Sequence, residues 1–490
     1  MRYFDKPNCV KISQINDKFH SLYPTEHRMP RVPCKNFKLL KELCEKEDVG
    51  SQVDVSEYLS FTTNCYLQTI SCMESTIINV KVGKNISPLL YRASNKRLKI
   101  GDFCISRNAS IGKISYVAEK VNAIVNGGIS YFTFKEKYKF YIPAFFITNY
   151  GEDTLKCMTS GGGTQQNVKR NTLLNMKIPF PSATDSNTQE EIVEYVSKMV
   201  KSLIDKELLI KKKVEKINSI IERVMLENNC TNYYSYPNIS EIKKFSKRLD
   251  TGLYGTKYKN VINQIVKYPG GYQYVRNLRY KWISGKTPNV FVENDKGKYW
   301  WIAVGDIAYG LKYKRMKRFN TAENVENNIL IDGDILITRK GATVGKMNMY
   351  FNRMNISTFV NEDIKILRLE EDVIDKVFIG MFLNSYYGQT QLLNLASRGT
   401  KQGLTNDNIL DVAFPLVDKE IKSEIFKEYY NESSIKKQGT LKFEEYDEKR
   451  NKELGIYQIN MEIFRIEKKL DQIVRKIVNN EAIEIDYSLE

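Results

Sequence analysis

The apolar positions of this chain follow two different periods. From Ile192 to Leu226 they repeat as on a helix: Val196, Leu203, Ile210, Ile217 and Val224 recur every seven residues, with Val200, Val214 and Ile221 beside them. Asn187 or Thr188 can serve as N-cap, with acidic residues in the first turn, and the helix so predicted is about 52 Å long. A second stripe is cleaner. Ile456, Ile459, Ile463, Ile466, Leu470, Ile473 and Ile477 alternate steps of three and four up to Val478, which is the seam pattern of a coiled coil. Two stripes of similar length predict mutual pairing, through Val196, Leu203, Ile210, Ile217 and Val224 on one and Ile456, Ile463, Leu470 and Ile477 on the other. Ahead of each stripe the apolar runs shorten to strand length and are punctuated by Gly, Asn and Pro.

Those shorter runs occur twice. "SGGGTQQNVKRNTLLNMKIPFP" begins at Ser160 and "SRGTKQGLTNDNILDVAFPL" at Ser397, so that Gly163, Thr164, Gln166, Leu174 and Pro179 correspond to Gly399, Thr400, Gln402, Leu410 and Pro415. "IGDFCISRNASIGK" (Ile100 to Lys113) returns as "DGDILITRKGATVGK" (Asp332 to Lys346), with one extra residue in the second loop. "IVNGGI" (Ile124 to Ile129) answers "FVNEDI" (Phe359 to Ile364), and "FFITNY" (Phe145 to Tyr150) answers "MFLNSY" (Met381 to Tyr386). A preserved order over this length means domain duplication rather than a short-period solenoid. The expected organisation is a mixed α/β (α+β) chain: a segment 1–30 without assigned role, a first domain 31–182, a long helix 187–230, a second domain 239–417 and a helical region 418–490.

Charge narrows the partner. The chain has 490 residues and a formal charge of +17, and the excess is local. Residues 239–318 hold 18 Lys/Arg against 5 Asp/Glu, whereas residues 187–230 hold 8 of each. A localised basic surface points to a polyanion, with nucleic acid ahead of membrane. Between the halves, Trp300, Trp301, Tyr309 and Tyr313 interleave with Lys312, Lys314, Arg315, Lys317 and Arg318. Such a mixture suits stacking and phosphate contact; equally, the two tryptophans can straddle a strand with one ring in the core.

Catalytic chemistry is hard to find. "GATVGK" fails as a phosphate loop: Gly341 and Gly345 enclose three residues instead of four, and Met347 follows Lys346 where a hydroxyl is needed. Both histidines, His20 and His27, precede residue 30, and no two prolines are adjacent, which excludes the Pro-Pro-aromatic motif of amino-methyltransferases. Eight irregularly spaced cysteines without a CxxC pair fit reduced thiols in a cytoplasmic protein, and no metal set is expected. No apolar run reaches membrane-spanning length.

The motifs "SGKTPNVFV…WWIAVGDI", "GDILITRKGATVGK", "SRGTKQGLTNDNILDVAFP" and "IEKKLDQIVRKIV", in this order and largely duplicated, resemble the specificity (S) subunits of type I restriction–modification systems. The resemblance implies two target-recognition domains, spaced by two long helices packed antiparallel, that read the two halves of a bipartite site in double-stranded DNA. It further implies two adenine methyltransferase subunits and restriction/translocase subunits as partners. S-adenosylmethionine, ATP and magnesium would sit on those partners, leaving no cofactor on this chain. Two departures stand out: the first half has no counterpart in sequence to Ser284–Pro288, and Met1 to Arg31 matches nothing.

Candidate DNA contacts are Arg107, Lys113, Thr164, Gln166, Lys169 and Arg170 in the first domain. In the second they are Lys286, Lys314, Arg315, Arg339, Lys340, Lys346, Thr400, Lys401 and Gln402. Thr164, Gln166, Thr400 and Gln402 either touch DNA or cap the repeated turn. The competing expectations are a recognition subunit of a split type II system and a self-sufficient nuclease or methyltransferase.

Overall fold

The computed structural model describes residues 34–159, 167–184, 186–226, 251–292, 297–308, 310–313, 316–320, 328–340, 343–352, 355–396, 403–435 and 442–488, with the short stretches 4–5, 29–30 and 239–240. The chain divides into two compact units. Unit 1 comprises Met1–Leu208, Gly439–Asp447 and Arg465–Glu490; unit 2 comprises Leu209–Gln438 and Glu448–Phe464.

In unit 1 the domain strands are β1 (Phe37–Leu39), β2 (Cys44–Val49), β3 (Tyr66–Gln68), β4 (Lys84–Asn85), β5 (Phe103–Ser106), β6 (Ile114–Tyr116), β7 (Ala123–Val125), β8 (Ile129–Phe134) and β9 (Lys177–Pro179). They form an antiparallel sheet β2-β8-β5-β6, a three-stranded sheet β4-β3-β7 whose β3 and β7 run parallel, and the pair β9-β1. Near the start of the chain, Phe4–Asp5 pairs antiparallel with Met29–Pro30.

Unit 2 carries β10 (Tyr272–Tyr274), β11 (Tyr280–Ser284), β12 (Tyr299–Ile302), β13 (Lys317–Phe319), β14 (Asp334–Thr338), β15 (Met347–Tyr350), β16 (Thr358–Val360), β17 (Ile364–Leu369) and β18 (Ala413–Pro415). Its sheets, β11-β17-β14-β15, β13-β12-β16 and β10-β18, repeat those of unit 1 strand for strand, including the parallel pair. The duplication read from sequence is therefore a duplication of topology.

The repeated Gly-Asp pair explains itself here. Gly101 and Gly333 turn into β5 and β14 with φ of 95° and 85°, a region that disfavours any Cβ. The next residue closes the turn: Asp102 accepts from the Lys99 amide at 2.8 Å and Asp334 from the Ile331 amide at 2.9 Å. Both strands then run inside the core, with every residue buried. A strand covered on both faces reads as a continuous apolar run and not as an alternation.

The principal helices among the described residues are α1 (Pro143–Ile147), α2 (Asn149–Cys157), α3 (Gln189–Leu226), α4 (Thr256–Val266), α5 (Val373–Asn384), α6 (Tyr386–Leu395), α7 (Lys419–Tyr429), α8 (Phe443–Glu453) and α9 (Ile456–Asn479). Helices α1 and α2 correspond to α5 and α6. Thr188 caps α3 through a reciprocal box: its amide donates to Glu191 at 2.7 Å and its hydroxyl accepts from the Glu191 amide at 3.2 Å.

Both long helices are shared between the units in opposite halves. The first part of α3 belongs with the last part of α9 in unit 1, and the last part of α3 with the first part of α9 in unit 2. In unit 1, Val196, Leu203, Leu470 and Ile477 are buried, and Asn187 Nδ2 donates to the Ile483 carbonyl at 3.2 Å. In unit 2, Ile217, Val224 and Ile456 join one apolar core, with Ile210 packed against it; Ile463 is buried as well.

One carboxyl on α3 should make stability pH-dependent. Glu207 accepts from the Thr76 hydroxyl at 3.1 Å and the Ile77 amide at 3.0 Å. Burial, reinforced by Glu467, pushes its pKa up to about 7. Between the ordinary carboxylate value and 7 the folded protein then binds more protons at this site than the unfolded chain, so the site's contribution falls as pH rises through that window. Glu207→Gln is expected to flatten the dependence and to exceed the parent's stability above pH 7. Denaturation midpoints at pH 5 and pH 8 check this; equal pH dependence in both proteins refutes it.

Candidate nucleic-acid interface

At one end of the four-stranded sheet in each domain, three loops converge. In the first domain they are Gly50–Gln52 after β2, Arg107–Asn108 after β5 and Asn126–Gly128 between β7 and β8. Backbone bonds lock them together: Ser51 N to Val125 O at 2.8 Å, Arg107 N to Gly128 O at 2.9 Å, and Val168 N to Arg107 O at 3.0 Å. The second domain repeats the lattice with Lys286 N to Val360 O at 2.9 Å, Arg339 N to Asp363 O at 2.8 Å, and Leu404 N to Arg339 O at 2.9 Å. The shared asparagine is structural in both copies. Asn126 Oδ1 accepts from the Gly128 amide at 3.0 Å, and Asn361 Oδ1 from the Asp363 amide at 2.8 Å.

This lattice supplies the counterpart that the first half lacks in sequence. Gly50 occupies the place of Gly285 from the Ser284–Pro288 motif. A Cβ at Gly50 would lie 2.2 Å from the Asn126 carbonyl oxygen, and one at Gly285 would lie 2.0 Å from that of Asn361. No side chain fits at either position. The neighbours Ser51 and Gln52, against Lys286 and Thr287, are free to differ, which hides the equivalence from sequence comparison.

Of the expected contacts, Arg107 is buried and its repeat Arg339 is half-buried. Arg107 is 9% exposed and its guanidinium donates to the carbonyls of Val168, at 3.3 Å, and Gly127. Desolvation lowers its pKa from the ordinary arginine value. Arg339 repeats the contact, its Nε donating to the Leu404 carbonyl at 3.0 Å. The repeated arginine staples the chain ahead of the long helix onto the sheet end and so helps to build the platform.

The remaining expected contacts sort by exposure. Lys169, Lys286, Lys340 and Lys346 are exposed and Lys113 is half-buried. Arg170 is exposed but held bidentate by Glu47 of β2, with Nε 2.9 Å from Oε2, and that carboxylate raises the arginine pKa. Lys340 sits 3.1 Å from Asp363. Thr164, Gln166, Lys314, Arg315, Thr400, Lys401 and Gln402 lie outside the described residues.

The tryptophans belong to the interior. Trp300 and Trp301 on β12 are 3% and 6% exposed, one facing the main core of unit 2 and the other a smaller cluster with Phe319 and Phe359. Neither ring is offered for base stacking, because β12 is the middle strand of its sheet and both of its faces are covered.

Sequence reasoning passed over Gln52, Asn108, Thr287, Glu362 and Asp363, which line the converging loops. The mismatch of Gly-Gly with Glu-Asp inside otherwise matching "IVNGGI" and "FVNEDI" was the available signal. Among the described residues no group of His, Cys, Asp and Glu is arranged to hold a metal ion. No described helix is long and apolar enough to cross a membrane.

The profile of the family described as "Type I restriction modification DNA specificity domain" matches residues 40–216 and 280–445, more than half of the chain and once per domain. Among curated proteins none matches significantly. Solved structures similar to this chain include the S subunit of a type I restriction-modification system from M. genitalium, at 10% identity and a TM-score of 0.36, covering 91% of this chain and 95% of that one. The HsdS subunit from Thermoanaerobacter tengcongensis shows 13% identity and a TM-score of 0.25, covering 94% and 100%. Overlays this loose carry no argument. The family match does.

Proposed function

The chain belongs to the family of type I restriction modification DNA specificity domains, and from that premise we propose that each of its two domains reads one half of a bipartite duplex site. It is a DNA sequence-recognition subunit and not the catalytic component of its system. Adenine methyltransferase subunits, two per chain, and restriction/translocase subunits are the partners it directs to DNA, carrying S-adenosylmethionine, ATP and magnesium between them.

The observation that carries this reading is the pair of loop clusters. Loops raised on a rigid strand end are where recognition is placed in many folds. Here the same platform is built twice, with the same glycines, the same asparagine and the same stapling arginine. Two platforms with different surface residues suit two different half-sites.

Binding should be strongly salt-dependent, because each phosphate neutralised by Lys or Arg releases counterions. A protein making six to ten such contacts loses about 10³-fold or more in affinity between 50 and 200 mM salt. Titration of a duplex library with the full-length chain across that range tests the proposal, and an affinity that stays flat would overturn it.

A further inference from the structure

The two loop clusters have one skeleton and different occupants, and we infer that the occupants are the base-reading groups: Gln52 and Asn108 in the first domain, Lys340 and Glu362 in the second. The inference rests on the chain being a DNA specificity subunit and adds which residues set each half-site.

What is common to both platforms cannot distinguish two sequences; what differs can. The common parts are engaged within the platform itself: the tight glycine, the Asn carboxamide capping its own turn, and the arginine staple. The differing parts are coupled in pairs. Position 52 lies against position 127, where a Cβ on Gly127 would come 3.2 Å from Gln52 Oε1; position 108 lies against 128, where a Cβ on Gly128 would come 3.5 Å from Asn108 Nδ2. In the second domain the same two neighbourhoods hold a different solution. Thr287 donates to Glu362, and Lys340 pairs with Asp363 at 3.1 Å. One domain thus places two carboxamides over bare glycines, and the other places a cation and two carboxylates in the same space.

Three of these groups can be reached directly. Gln52, Lys340 and Glu362 are exposed, and Asn108 is half-buried. Asn108 Oδ1 is itself buried and has no hydrogen-bond partner among the described residues, so its carboxamide must swing outward to offer this acceptor to a base. The Lys340–Asp363 pair is 61% and 36% exposed, and a pair so exposed is worth little, so exchanging it for a base costs little.

The chemistry assigns base classes. A carboxamide matches adenine, accepting from N6 and donating to N7; lysine donates to guanine O6 and N7, and a carboxylate accepts from cytosine N4. The first half-site should therefore carry an adenine read by Gln52 and Asn108, and the second a G·C pair read by Lys340 and Glu362.

The test is selection from a random-sequence duplex library by the full-length chain in complex with its methyltransferase subunits. Two variants of the second domain are compared with the parent: Glu362→Gln alone, which keeps the side-chain shape, and the graft Thr287→Gln, Lys340→Asn, Glu362→Gly, Asp363→Gly. Thermal melting establishes that each variant is folded. The expected result is a loss of discrimination by about tenfold or more at one or two base pairs of one half-site in Glu362→Gln. The other half-site stays unchanged, and the graft shifts the altered positions towards A·T. Parental preference at both half-sites in both folded variants overturns the assignment. So does a uniform weakening on every sequence, which marks a phosphate contact. A parent complex that selects no sequence at all refutes the broader proposal of site recognition, and is thereby distinct from either of these.

Discussion

Replacing Asp447 by alanine is expected to destabilise unit 1 by about 3–5 kcal/mol, the usual cost of stranding one member of a buried ion pair. Its partner Lys206 projects from α3 and is fully buried. The ammonium contacts Asp447 Oδ1, while the Ser202 hydroxyl donates to Asp447 Oδ2 at 2.7 Å. Without the carboxylate, the buried ammonium loses its contact to Oδ1 and the Ser202 hydroxyl loses its acceptor. The double replacement Lys206→Met, Asp447→Leu should recover most of the loss, since an apolar pair of similar volume avoids the desolvation that the ion pair overcomes. Urea denaturation of the three variants decides it. Equal stability of Asp447→Ala and the parent would show that the pair contributes nothing.

The second large effect concerns the site that is recognised. One heptad inserted between Leu208 and Leu209 of α3, with another between Phe464 and Arg465 of α9, should lengthen the spacer between half-sites. These are the points where each helix passes from one unit to the other. Seven residues add about 10 Å of helix, or roughly three base pairs at 3.4 Å each. The seam survives, because a heptad falls only about 20° short of two full turns. The half-site sequences should not change, since separate loop clusters read them. Mapping methylated positions with the assembled variant gives the answer. An unchanged spacer would mean that the helices are not the ruler, and altered half-sites would mean that they contribute to base reading.

Much of this molecule was legible in its sequence. The seven-residue period placed α3 within a few residues of Gln189–Leu226 and α9 at Ile456–Asn479, because helix periodicity is a local property carried by every turn. Asn187 or Thr188 was the expected cap of α3 for the same reason, since a cap and its partner lie three residues apart, and Thr188 fills the role. The duplication was legible too, since matching motifs in matching order need no knowledge of contacts. It led directly to two domains of one topology.

Tertiary structure decided what each motif residue is for. Arg107 and Arg339 look like ligand contacts in sequence, yet the carbonyls they bind belong to Val168 and Leu404, 61 and 65 residues further along. Trp300 and Trp301 alternate along a strand, which predicts one ring inside; burial of both follows from the middle position of β12 and from a second cluster behind it. Gly50 has no recognisable motif around it, and its equivalence to Gly285 exists only in the approach of another backbone to about 2 Å from a missing Cβ. Sequence determines local periodicity and repetition because neighbouring residues enforce them. The partner of a polar group, the second face of a strand and the space beside a glycine are set by segments far away in the chain, and only folding brings those together.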